Sequence, residues 1–162
     1  MKNRPTFRDI GVVDVTFGKN VTLINPVNLY GCDIGDDCFV GPFVEIQRDV
    51  SIGARTRVQS HSFICELVTV GTDCFIGHGV MFINDLFKTG GPAFSDRENW
   101  LPTVLGNNVT IGSNATLLPV SVCDGAVIGA GSVVTRDISK PGIYLGSPAK
   151  LMRPINPDWE EE

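Results

Sequence analysis

The chain has 162 residues, 43% of them hydrophobic and 18 of them glycine, with a formal net charge of -5. That length supports one domain with a real core, and an acidic balance without a basic or aromatic-interleaved patch argues against a nucleic-acid partner. No run approaches the ~20 apolar residues a membrane helix needs, and the N-terminal MKNRPTFRDI has no apolar core. A cytoplasmic protein with no membrane partner is therefore expected.

In chain order, Phe17-Gly18, Leu23 and Leu29 begin a six-residue spacing of large apolar residues, which predicts a solenoid starting near Val12 to Phe17. The spacing becomes strict from Ile34 onward, through Val40, Ile46, Ile52, Val58, Ile64, Val70, Ile76 and Phe82. A second row of small or β-branched residues stands four positions after each: Cys38, Val44, Val50, Thr56, Ser62, Val68, Cys74 and Val80. A period of six is neither the 3.6 of a helix nor the 2 of a strand, so each hexad reads as one short strand plus a corner, with both rows pointing inward. Glycine after Ile34, Val40, Ile52, Val70 and Ile76 is read as relief of backbone strain at the turn. Three hexads close a triangular coil. Stacked coils then place Ile34, Ile52 and Val70 in one file, Val40, Val58 and Ile76 in a second, and Ile46, Ile64 and Phe82 in a third.

Cys38 and Cys74 fill the small inward slot, where cysteine acts as a buried hydrophobe. Cys32, Cys65 and Cys123 form no CxxC pair, so no structural metal is expected.

After Phe82 the repeat stops and resumes at Leu105-Gly106, so about 17 residues are inserted. The insertion, placed at 84–103, carries Phe87, Phe94 and Trp100, and a loop of this length inside a compact domain is usually functional. Beyond it Leu105, Ile111, Leu117, Val122, Ile128 and Val134 restore the repeat, for about six coils in all. A single domain over 1–155 and an acidic, mobile tail over 156–162 are expected.

A packed solenoid has no internal pocket, so chemistry is expected at corners, under the loop or between subunits. The only two histidines, His61 and His78, fall at one corner of consecutive coils, ~5 Å apart along the stack. Histidine is suited to general-base work near neutral pH. Asn84 and Asp85 open the loop at the next corner, where an amide could hydrogen-bond a substrate or oxyanion. Because Asn84 and His78 both stand two after an inward residue, they are expected to point alike and to converge with His61. Capping and turn roles are the plain alternatives for all three.

The hexad pattern, with Ile111-Gly112-Ser113-Asn114-Ala115-Thr116, the segment from Ile128 to Asp137 and the closing Gly146-Ser147-Pro148-Ala149-Lys150-Leu151-Met152-Arg153, resembles the hexapeptide-repeat acyltransferases. The resemblance implies an all-β, left-handed parallel β-helix acting as a homotrimer. Nothing in the periodicity sets that hand, and the general preference for right-handed crossovers points the other way. The cofactor implied is acetyl-CoA, with backbone around Ser113 and Ala130 along its pantetheine arm. Thr135, Arg136, Lys150 and Arg153 are implied near its nucleotide end, as a basic cluster for phosphates. Through VQSHSFIC and IGHGVMFINDLF the chain looks most like N-acetyltransferases of nucleotide-linked 3-amino sugars. The galactoside and maltose branch carries a catalytic histidine where this chain has Asn84-Asp85, which disfavours that type of O-acetyltransferase. Zinc chemistry of the γ-carbonic anhydrase kind needs three histidines and this chain has two. An O-acetyltransferase of another small acceptor, a sugar or antibiotic hydroxyl, and a non-catalytic β-helix scaffold are the remaining alternatives.

Overall fold

Each hexad forms a strand of two or three residues and a corner, and the strands stack into three sheets. The structure is a computed structural model that describes residues 11–94 and 96–155. Sheet I contains Val12–Val13, Asn28–Tyr30, Glu45–Ile46, Phe63–Ile64, Met81–Phe82, Thr116–Leu117 and Val133–Val134. Sheet II contains Thr16–Phe17, Asp33–Ile34, Ser51–Ile52, Val68–Val70, Thr103–Leu105 and Ser121–Val122. Sheet III contains Thr22–Leu23, Phe39–Val40, Arg57–Val58, Phe75–Ile76, Thr110–Ile111, Val127–Ile128 and Ile143–Leu145, with Lys150–Arg153 added antiparallel at its end. Six coils are complete. A seventh is formed by Val133–Val134, a bridge from Ile138 to Val122, and Ile143–Leu145. The architecture is consistent with the left-handed parallel β-helix that the resemblance implied.

The three files of the core are those of the sequence pattern. Ile52 pairs in register with Ile34 and Val70, Val58 with Val40 and Ile76, and Ile64 with Ile46. Both inward rows are buried from Ile34 to Phe82. The small row also stitches corners together. Thr56 Oγ1 donates to Gly71 O (3.0 Å) and accepts from Cys74 N (3.1 Å), while Ser62 Oγ donates to Gly77 O (2.8 Å). Their hydroxyls thus sit satisfied inside an apolar core, where an unpaired one would cost stability.

The glycines do something other than the expected relief of turn strain. Left-handed backbone falls two residues later, on Asp37, Phe43, Arg55, Asp73 and Gly79. Gly53 itself is needed because a Cβ there would lie 2.5 Å from the backbone of Gly71. The glycine permits coils to approach to sheet spacing.

Four of the five thiols are buried, and burial pushes Cys32 up to about 11 and Cys65 up to about 12. Those thiols remain neutral and sheltered at neutral pH. Native protein treated with a thiol reagent at pH 7.5 should therefore show one fast-reacting group, Cys123, and four more on denaturation. The proposed tail at 156–162 lies outside the described residues. Among the described residues no helix is long and apolar enough to cross a membrane.

Candidate active site

The corner joining sheet III to sheet I forms a column up the solenoid: Pro42-Phe43, Ser60-His61, His78-Gly79, Ser113-Asn114 and Ala130-Gly131. Backbone bonds hold it in register, from His61 N to Pro42 O (3.1 Å), Gly79 N to Ser60 O (3.0 Å), Asn114 N to His78 O (2.8 Å) and Gly131 N to Ser113 O (2.9 Å). The second residue of each pair has positive φ. Gly79 occupies that position above His61, which displaces His78 to the first position of the pair.

That offset decides the partners of the two histidines. His78 Nδ1 lies 2.8 Å from Ser60 Oγ, one coil below. His61 stacks on Phe43, with ring centroids 4.8 Å apart and planes inclined by 17°. Both histidines are exposed, and Nε2 of His78 has no hydrogen-bond partner among the described residues. In the tautomer whose Nδ1–H donates to Ser60 Oγ, Nε2 carries the lone pair that can accept a proton from a bound group.

Ser113 and Ala130 stand on the same column, one and two coils above His78. The side chains at this corner are small, and Ala130 and Gly131 are exposed. The column ends at the turn over 146–149, held by Gly146 N on Ser132 Oγ (3.1 Å) and Ala149 N on Val133 O (2.8 Å). Lys150 follows that turn and pairs with Leu145.

Asn84 does not join this column. Successive hexads fall on successive corners, so an equal offset from Ile76 and Phe82 places His78 and Asn84 at opposite edges of sheet I. The amide of Asn84 donates to Glu66 O (3.2 Å), and Asp85 accepts from Phe87 N and Ala93 N (both 2.8 Å). Both residues shape the loop, which the bridge between Asp85 and Trp100 closes. Arg97 then ties the loop back to the solenoid through ion pairs with Asp49 and Glu66. Beneath the loop lies a cavity of about 290 Å³, walled by Gln47, Phe63, Phe87 and Trp100 among others. The expected basic cluster is also divided within one chain. Thr135 and Arg136 follow sheet I at the corner towards sheet II, whereas Lys150 and Arg153 lie on sheet III.

Ser60, Phe43 and the Arg97 anchors were not singled out from the sequence. Ser60 and Phe43 had a signal, since each stands one coil of 18 residues before a histidine. Arg97 had none, because its acidic partner Asp49 is 48 residues away and on another coil.

Residues 31–66 match the bacterial transferase hexapeptide (six repeats), and residues 102–136 match the hexapeptide repeat of succinyl-transferase. The bifunctional protein GlmU of Streptococcus uberis is 31% identical over 150 residues, covering 88% of this chain and 32% of that protein. The chain thus spans about a third of that relative's length. An acetyltransferase of Vibrio cholerae, solved with acetyl-CoA, superposes with a TM-score of 0.65 at 22% identity, covering 78% of this chain and 72% of that one. AntD, an N-acyltransferase of Bacillus cereus solved with coenzyme A and dTDP-4-amino-4,6-dideoxyglucose, gives a TM-score of 0.63 at 20% identity, covering 87% and 83%. With two repeat matches lying on coils whose register follows the same six-residue period, the chain is a hexapeptide-repeat protein of the kind these bacterial transferase models describe.

Proposed function

We propose that this chain is an acetyl-CoA-dependent N-acetyltransferase whose acceptor is the amino group of a nucleotide-linked amino sugar. The observation that carries the reading is the exposed imidazole of His78, tethered to Ser60 and aligned with Ser113 and Ala130 on one column. The ligands of the Vibrio cholerae and Bacillus cereus neighbours support the choice of cofactor and acceptor class.

Acetyl-CoA supplies an activated acetyl thioester. The corner of small side chains at Ser113 and Ala130 fits its pantetheine arm, with Lys150 beyond the turn towards its phosphates. Nε2 of His78 would take a proton from the amine as the new C–N bond forms and the thioester C–S bond breaks, with CoA leaving as its thiol, while Nδ1–H stays on Ser60 Oγ. Holding the two reactants on adjacent coils supplies the remaining advantage through proximity. His61 and Phe43 flank the acceptor side. Asn84 and Asp85 act through the loop they anchor. Thr135, Arg136 and Arg153 would contribute to a cofactor lying between two solenoids, which favours a homotrimer. Light scattering should then give about three times the 17.5 kDa chain mass.

The deciding experiment supplies acetyl-CoA with a panel of nucleotide-linked amino sugars and follows the release of free thiol. Thiol release with amines and not with the matching hydroxyl sugars is expected. No release with any amine, together with no thermal stabilisation by CoA, would remove the reading in favour of a scaffold. Ser60→Ala is expected to lower kcat by about tenfold with little change in the KM for acetyl-CoA, the effect of loosening a base and not of losing a binding contact. Ser60→Thr, which keeps the hydroxyl, should restore most of the loss.

A further inference from the structure

The lower part of the catalytic column carries a residue that the fold does not call for. Corner positions with left-handed backbone are filled mostly by Asp, Asn or Gly, among them Asp37, Asp49, Asp73, Asn108, Asn114, Gly79 and Gly131. Phe43 holds φ 61° at such a corner and is 57% exposed. A bulky residue in this region is strained, and strain kept where no core contact rewards it points to use by a ligand. The backbone pins the residue in place, with Phe43 N donating to Pro26 O (2.6 Å). His61 stacks on one side of the ring. Two flat rings are thus stacked three and two coils below Ser113.

Beside these rings is a pocket of about 210 Å³ lined by Pro26, Val27, Asn28, Phe43, Val44 and Glu45. Its polar wall is built. The Glu45 carboxylate accepts from Asn28 Nδ2 (3.0 Å) and from Gln47 Nε2 (2.8 Å), which holds both oxygens in place. A carboxylate has about four acceptor sites, so each oxygen retains capacity for an N–H donor. Gln47 in turn engages Tyr30, whose phenol is pushed up by burial first and by the charges of Glu45 and Glu66 second, so that it stays protonated at neutral pH. A flat aromatic face beside a fixed carboxylate is complementary to a heteroaromatic ring that stacks and presents N–H groups at its edge.

We infer that Phe43, stacked with His61, and Glu45 form the subsite for the nucleobase of the acceptor, with the base lying on Phe43 and its N–H edge towards Glu45. The inference rests on the acetyltransferase reading and deepens it by ordering the column: cofactor arm above at Ser113 and Ala130, proton acceptor at His78, nucleobase below at Phe43. Along the stack Phe43 lies ~10 Å below the corner of His78, a gap that a diphosphate linkage can span.

The test is titration calorimetry of the full chain saturated with CoA, so that the cofactor's own adenine site is filled. UDP, dTDP, GDP and inorganic pyrophosphate are the titrants. At least one nucleoside diphosphate is expected to bind ten times or more tighter than pyrophosphate. Phe43→Ala should weaken that binding by about 10- to 100-fold, the usual effect of removing a base-stacking side chain, while CoA affinity and particle mass are unchanged. Phe43→Tyr should keep it. Glu45→Gln should change the ranking among the bases, because an amide offers one acceptor oxygen where the carboxylate offers two. Equal binding of pyrophosphate and nucleotides, no effect of Phe43→Ala, or loss of the oligomer in that variant would overturn the inference. Acetylation of amino sugars without a nucleotide, measured alongside, separates the two readings. Turnover with ring-independent binding removes the subsite alone, and ring-dependent binding without turnover on any amine removes the chemistry alone.

Discussion

Asparagine in place of His78 is expected to lower turnover by ~10²- to 10⁴-fold, the range found when a positioned general base is removed. Affinity for CoA should hardly change. Among the described residues the side chain's one tether is Ser60, and an asparagine at this exposed corner neither opens the core nor disturbs the backbone ladder, so folding is not at issue. The His61→Asn variant should behave differently. That ring faces Phe43, so its loss should fall mainly on the KM of the acceptor and less on kcat. Steady-state kinetics with both substrates, plus calorimetry with CoA, check the pair. Asn84→Ala should act through the loop, because its amide bonds Glu66 O at 3.2 Å. Full activity of the His78 variant would leave the proton to the departing sulfur, with the protein only holding the partners in line.

Three adjacent residues, Ser51, Ile52 and Gly53, should give three different results for the same substitution to alanine. Ile52 is 2% exposed and pairs with Ile34 below and Val70 above. Truncating it removes a rung from the middle of a file, at a cost of ~2 to 5 kcal/mol. Ser51 points outward from the same strand, and its change should stay within about 0.5 kcal/mol. At Gly53 the new methyl would lie 2.5 Å from the Gly71 carbonyl carbon and oxygen, backbone that cannot yield without parting two coils. Its cost should reach at least the ~1 to 3 kcal/mol of ordinary overpacking. Denaturant unfolding at one fixed protein concentration measures all three. Similar values at Ser51 and Ile52 would mean that the register is wrong.

Much of this was legible in the chain before any coordinates. The core files needed only the period of six and the closure of three hexads, since a one-position slip would turn every inward residue to solvent. The gap between Phe82 and Leu105 marked the loop, and the positions of His61 and His78 marked the corner that carries them. The same arithmetic misled at Asn84. An equal offset within a hexad says nothing about which corner a residue occupies, and adjacent hexads always occupy different ones. It misled again over glycine, because a glycine after each apolar residue looks alike whether it serves a turn or the approach of the next coil.

The sequence by itself determined the class of fold, the register of the core, the site of the insertion and the corner where the histidines gather. All of these follow from spacing along one chain, and a repeat makes spacing into position. Tertiary structure alone decided the pairings: Ser60 on His78, Phe43 under His61, Glu45 between Asn28 and Gln47, and Arg97 across to Asp49 and Glu66. Such contacts depend on side-chain direction at each corner and on the path of a non-repeating loop, and both are set by packing between coils, not by period.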